Sequence, residues 1–169
     1  MNKISFFLIF FLFLNSFNLV KSENNIVILD LNYLFNNSNK GKQIQNELNL
    51  VNKENVNILK TKEEEIKKKE IEIKNKQNLI SESELNEKIK LYRENINNFN
   101  SLKNDLTLKF NENKDKLLND FFTQVTPIIQ DYMKKNSISI IIDKKNIFIA
   151  QSNYEITDEI LELINKNIK

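Results

Sequence analysis

The chain has 169 residues, with one Gly, one Pro, no Cys, no His and no Trp, and 25 basic against 23 acidic residues. This excludes a Gly-rich phosphate loop, a Cys or His metal cage, a Cys nucleophile and a Ser-His-Asp triad, so no constellation for enzymatic chemistry and no cofactor site is expected. One Gly against an average usage of about 7% argues for long helices and few tight turns.

The N-terminus reads as a secretory signal. Lys3 gives a positive start, and residues 4–14 are an apolar run interrupted by one Ser. Val20, Lys21 and Ser22 then precede a cut before Glu23. An uncleaved anchor is the alternative, but Asn15, Ser16 and Asn18 dilute the run below the about 20 apolar residues that a spanning helix needs. The absence of Cys rules out a lipid-modified N-terminal Cys. The expectation is a cleaved signal over 1–22 and a soluble exported chain, which in a bacterium means the periplasm. Removing Lys3 and Lys21 leaves 23 basic residues, equal to the 23 acidic ones. A neutral chain has no strong electrostatic case for nucleic acid.

After the signal, Ile26, Val27, Ile28 and Leu29 read as a strand buried on both faces. Residues 31–35 continue as one or two helical turns. Residues 36–39 are a break, with Ser38 placed to cap the next helix. The outgoing arm runs over about 40–78. Ile44, Val51 and Ile58 repeat at seven; Leu59, Ile66, Ile73 and Ile80 then repeat at seven, one residue out of frame. Its second track, Leu48, Asn55, Lys62, Lys69 and Lys76, is weak. Glu63, Glu64 and Glu65 lie four residues before Lys67, Lys68 and Lys69, a solvated face that supports the helix. At the tip, near 80–84, Ser81 and Glu84 form a capping box for a new helix.

The return arm carries the strongest pattern in the chain. Leu85, Tyr92, Phe99 and Leu106 form one track, and Ile89, Ile96, Phe110 and Leu117 a second. Only Lys103 and Asn113 break the series. A 3-4 apolar spacing held this long is the seam of a coiled coil, and the outgoing arm is the partner at hand. Two arms of about 40 residues make a hairpin roughly 60 Å long. A single uninterrupted helix is the alternative.

Beyond the arm, Phe121, Phe122, Val125, Ile128, Ile129, Tyr132 and Met133 are more densely apolar, which marks entry into a packed body. Pro127 is expected to kink the helix there. Residues 137–142 and 147–150 read as two strands of a hairpin turning at 143–146. Thr157 then caps a closing helix with Ile160, Leu161 and Ile164 on one face. Tyr33, Tyr92, Tyr132 and Tyr154 are dispersed and read as packing residues. The body, 23–43 and 121–169, is small for an independent core, and the arm is 44–120. Its apolar strands have open edges, so the inference is that chains share the sheet.

Three stretches carry a family likeness. They are residues 26–31 with Ser38 to Lys42 following, the tip LISESEL over 79–85, and residues 139–143 followed by YEITDEI over 154–160. Pro127 and Ile128 sit where the family often has Pro-Ile. With these in order behind a signal, the chain resembles the OmpH/Skp family of periplasmic chaperones over nearly all of its mature length. The resemblance implies an α+β, mostly α fold: a jellyfish-like homotrimer in which three subunits share a small β body, and helical-hairpin arms surround a cavity. It implies an ATP-independent holdase for unfolded outer-membrane proteins. One departure stands out. Residues 60–76 hold seven Lys against five Glu, and residues 82–120 seven basic against eight acidic residues. Arms this close to neutral put lipopolysaccharide or membrane-surface capture in doubt.

Leu59, Ile71, Leu91, Leu102 and Leu108 lie off or at the edge of the seam and are the candidate client contacts, the alternative being that they widen the hairpin packing. Ile26, Val27, Ile28, Leu29, Ile140, Ile141, Ile142 and Phe148 are the candidate subunit contacts, or else a core within one chain. An exported coiled-coil scaffold of the envelope is the competing functional reading.

Overall fold

A computed structural model describes residues 25–168. The expected signal over 1–22 and its cut after Ser22 lie outside them. Strand β1 (Asn25–Leu29) leads into helix α1 (Leu31–Asn37). Two long helices follow, α2 (Asn39–Lys76) and α3 (Glu82–Lys135). Strand β2 (Ile138–Asp143), two single-turn 3-10 helices (Lys144–Asn146 and Ser152–Tyr154) and helix α4 (Thr157–Asn167) complete the chain.

The long helices start where short polar side chains can take their orphan N–H groups. Ser38 accepts from the Gly41 N–H at 3.1 Å, and Ser81 from the Glu84 N–H at 3.3 Å. Ser38 also ends α1, its own N–H donating to the Leu34 carbonyl at 2.9 Å. One buried residue therefore separates two helices. This junction explains the only Gly: a Cβ on Gly41 would stand 1.7 Å from the Phe35 carbonyl oxygen. Asp30 caps α1 in the same way, accepting from the Tyr33 N–H at 2.8 Å.

The helices α2 and α3 are separate elements joined by a short tip, and they pack antiparallel as a hairpin. Lys69 Nζ reaches Asn95 Oδ1 at 3.1 Å and Lys88 Nζ reaches Glu72 Oε1 at 3.3 Å across the pair. All eight residues of the two expected tracks on α3 are half-buried. Lys103 stays out and Leu102 fills its turn of the seam, while Asn113 is half-buried in place. On α2 the seam passes through Leu48, Val51, Asn55, Leu59, Ile66 and Ile73, so the frame shift falls between Val51 and Leu59 and leaves Ile58 outside. Pro127 lies within α3, which runs on to Lys135.

The core lies at the root of the arm. Leu29, Leu34, Ile44, Phe121, Val125, Ile156, Ile160, Ile164 and Ile168 form one buried cluster, with Leu48 and Leu117 packed against it from the first turns of the arm. Phe121 stacks edge-on against Phe35 and Phe122, with ring centroids 5.3 and 5.2 Å away; T-shaped pairs of this kind add to the burial energy.

Two expectations fail in the body. The strand hairpin is not formed: β2 pairs in parallel with β1, register Ile26–Ile140, Val27–Ile141 and Ile28–Ile142, and residues 147–150 are not a strand. The turn after β2 and the partners the chain finds beyond it set the path. Asp143 accepts from the Lys145 N–H, a 3-10 turn closes from Ile147 N–H to the Lys144 carbonyl, and the chain moves away from β2 instead of turning back along it. It arrives at the other edge of β1, where the Ile156 N–H donates to the Ile28 carbonyl at 3.0 Å. Thr157 is not a cap either. Ile156 holds that position without a side-chain bond, and Thr157 is the first helical residue, buried.

Candidate functional site

Two surfaces stand out. The first is the length of the arm. No residue from 45 to 120 is buried, so a seam some dozens of residues long leaves each of its side chains partly in water. Off the seam, Leu50, Val56, Ile71, Leu91 and Leu108 are exposed, and Leu79 at the tip is 82% exposed. Of the five candidate client contacts, Ile71, Leu91 and Leu108 face solvent, whereas Leu59 and Leu102 are half-buried in the seam. Leu50, Val56 and Leu79 were missed by the sequence reading. Their signal was available: each is apolar at a position that the heptad frame assigns to the outside.

Part of the arm's polar surface, on either side of the tip, is self-paired. Lys62 meets Glu65 at 2.8 Å, Lys74 meets Glu70 at 2.6 Å, and Lys76 and Lys88 meet Glu72 at 3.0 and 3.3 Å. Hydrogen bonds from these lysines, followed by their charge, hold the Glu65, Glu70 and Glu72 carboxyls below the ordinary Glu range. Acids matched this way to neighbouring lysines leave little net field for attracting a charged partner.

The second surface is the far side of the two-stranded sheet. Val27, Leu29 and Ile141 turn toward the core. Strand periodicity puts Ile26, Ile28, Ile140 and Ile142 on the other face. There Ile26, Ile140 and Ile142 are exposed and Ile28 is almost covered. Close by in sequence, Phe148 is 103% exposed and Ile149 84%. Of the eight candidate subunit contacts, then, Leu29 belongs to the chain's own core, Val27 and Ile141 pack against it, Ile28 is covered, and Ile26, Ile140, Ile142 and Phe148 are free.

A polar clasp holds the end of this sheet. The Asp30 N–H donates to Thr157 Oγ1 at 3.0 Å, and the Thr157 hydroxyl donates to Glu155 Oε1 at 3.0 Å. Lys144 Nζ donates to both Glu155 oxygens, at 2.8 and 3.0 Å. That contact with Lys144 is the main cause that lowers the Glu155 carboxyl below its usual range, with burial opposing it and Thr157 assisting. An open groove of about 870 Å³ between α3 and α4 sets Asp131, Glu159 and Glu162 beside Lys135 and Lys166, a mixed lining with no convergent polar set. Among the described residues no group of His, Cys, Asp or Glu could hold a metal ion, and no helix is long and apolar enough to cross a membrane.

The fold is a helical-hairpin arm raised on a small α/β body, with apolar side chains left in water on both. The profile of the OmpH-like outer membrane protein family matches residues 25–164, and the chain belongs to that family. A solved structure from Caulobacter crescentus CB15, of a protein assigned as an OmpH-like outer membrane chaperone, superposes with a TM-score of 0.78 at 15% identity, covering 86% of each chain. That likeness fixes the fold. No curated protein matches the sequence.

Proposed function

We propose that this chain is an ATP-independent holdase chaperone of the bacterial periplasm, non-enzymatic, which keeps unfolded outer-membrane β-barrel proteins soluble in a cavity between the arms of a homotrimer. The observation that carries the reading is the arm. It has no buried residue from 45 to 120, yet presents Leu50, Val56, Ile71, Leu91 and Leu108 to water. A holdase must cover apolar segments of many sequences. Scattered apolar contacts on long arms do this, because many weak contacts summed over several arms give avidity. Membership of the OmpH-like family supports the role and the compartment. The near-neutral charge of the arms argues against lipopolysaccharide or a membrane surface as the main partner.

The exposed sheet face supports assembly. Ile26, Ile140 and Ile142 on the sheet face, with Phe148 exposed in the loop after β2, are apolar surface that a second and third copy would bury. The test is native mass by light scattering, alone and with a denatured β-barrel protein diluted from urea. Three subunits alone, and three plus one soluble client in the mixture, are expected. A monomer or dimer that lets the client precipitate would leave only an envelope scaffold. Changing Leu59, Ile71, Leu91, Leu102 and Leu108 together to Ser should weaken client retention several-fold with the trimer intact. The Ile71, Leu91 and Leu108 subset should account for most of that loss, since Leu59 and Leu102 also pack the seam.

A further inference from the structure

The tip half of the arm is a seam with unequal sides. Between Leu59 and Ile80, α2 gives it one apolar residue per heptad, Ile66 and then Ile73. Over the same length α3 gives two, Ile89 with Tyr92 and Ile96 with Phe99. The second track of α2 is Lys62, Lys69 and Lys76, all exposed. A lysine keeps its head in water, so its stem covers a seam without closing it. Two open cavities remain between the helices, of about 140 and 90 Å³.

The two cavities are one arrangement repeated. Half-buried Ile73 and Tyr92 line the one nearer the tip, with Lys69, Glu72, Lys88 and Leu91 around them. Seven residues back along α2 and seven forward along α3, the same positions hold Ile66, Phe99, Lys62, Glu65, Asn95 and Asn98, and these line the second cavity. Equivalent positions in successive heptads share one face of a helix pair. The cavities therefore lie side by side, about 10.5 Å apart at 1.5 Å per residue. Lys69 lines both, at the boundary between them. Lys62 and Lys88 end on Glu65 and Glu72, at 2.8 and 3.3 Å. Lys69 ends instead on a neutral amide, Asn95 Oδ1, at 3.1 Å. Three Lys thus line the two cavities against two Glu, and the surplus positive charge sits in the middle.

We infer that these cavities take a segment of unfolded chain in a polyproline-II-like conformation, with apolar side chains at positions i and i+3 and an acidic residue between them. That conformer is common in unfolded chains. Its three residues per turn, at about 3.1 Å each, bring i and i+3 to the same side about 9.3 Å apart, close to the spacing of the cavities. A β-strand would put them on opposite faces. A carboxylate is a stronger acceptor than an amide oxygen. The acidic residue therefore draws Lys69 off Asn95, and the bridge across the seam swings onto the segment. One exposed contact of this kind per arm sorts segments without making retention steeply salt-dependent. This names the kind of segment that the proposed holdase takes, and it rests on that reading.

The chain has no Trp, so the emission of a Trp-bearing peptide reports its binding. The probe is a short Gly-Ser peptide with Trp at i and i+3 and Asp between them, titrated at low salt into the chain from Glu23 onward. Its emission should shift to the blue. Replacing the Asp by Lys should weaken binding about three- to five-fold, and moving the second Trp to i+2 should weaken it as well. Lys69→Glu should reverse the preference, so that the Lys peptide binds better than the Asp peptide, with helical circular dichroism unchanged. Equal binding of the Asp and Lys peptides by the unaltered chain, or of the two spacings, overturns the inference. So does a Lys69→Glu variant that still prefers Asp. The comparisons on the unaltered chain do not depend on a variant folding. A chain that binds the Asp peptide yet lets a denatured β-barrel protein precipitate would sink the holdase reading alone. One that keeps the β-barrel protein soluble but leaves the peptide emission unmoved would sink this inference alone.

Discussion

Body and arm are built from the same residue types to opposite ends. The body spends its apolar side chains inward: Leu29, Leu34, Phe121, Val125, Ile160 and Ile164 are at most 1% exposed. Along the arm no residue from 45 to 120 is buried; only Ile44, at its root, joins the core. The body is a core in which each side chain has a fixed neighbour, and close packing makes every atom count. The arm is a single seam between two helices, and a pair of helices alone cannot surround a side chain. What the difference teaches is where stability resides and where adaptable surface is left.

The largest effects should therefore fall in the body. Phe121→Ala removes a fully buried ring and its edge-on contacts with Phe35 and Phe122, and about 3–5 kcal/mol of stability should be lost. Gly41→Ala should follow, at about 3 kcal/mol, because the added methyl collides with the Phe35 carbonyl, backbone that cannot rotate aside. Urea denaturation followed by circular dichroism measures both. The arm analogue, Phe99→Ala, removes a half-buried ring from the seam and should cost about 1–2 kcal/mol. Equal costs for Phe99 and Phe121 would erase the distinction between the two regions.

What was legible in the sequence follows the same division. The arm could be read almost residue by residue, because a heptad seam depends on spacing along one helix, and spacing is what a sequence displays. The α3 tracks were found intact, and Ser38 and Ser81 cap as expected. The body was misread where the chain's path depends on distant partners. Residues 147–150 look like a strand by composition, but Lys144 finds Glu155 eleven residues on, and the loop is carried past β1. Thr157 looks like a cap, but its hydroxyl is taken by Asp30 from the other end of the chain, a contact over 127 positions. Gly41 could be noticed as the only Gly, yet nothing local says that the Phe35 backbone lies against it.

The clasp offers a smaller and more selective test. Glu155 has its carboxyl lowered below the unfolded value, chiefly by Lys144. A depressed acid contributes stability that is present above the unfolded Glu range and is lost as pH falls through the lower folded value. The body should accordingly weaken on acidification through and below the usual Glu range, and Glu155→Gln should flatten that part of the profile. Phe99→Ala should shift the whole profile and leave its acid limb unchanged. A Glu155→Gln variant that keeps the full acid dependence would show that other carboxylates carry it.

The smallest effect is expected on the arm's surface. Lys74 and Glu70 form the shortest ion pair among the described residues at 2.6 Å, but both side chains are well exposed, at 67% and 41%. Water screens such a pair, and holding two long side chains together opposes what is gained. Lys74→Gln should leave thermal stability essentially unchanged, as should raising the salt concentration. Client retention should be equally indifferent to salt if apolar contacts carry it, because basic and acidic residues are nearly equal in number along the arm. Retention that falls steeply with salt would move the binding surface from the exposed leucines and isoleucines to the charged face, and the contrast between body and arm would then be one of charge as well as burial.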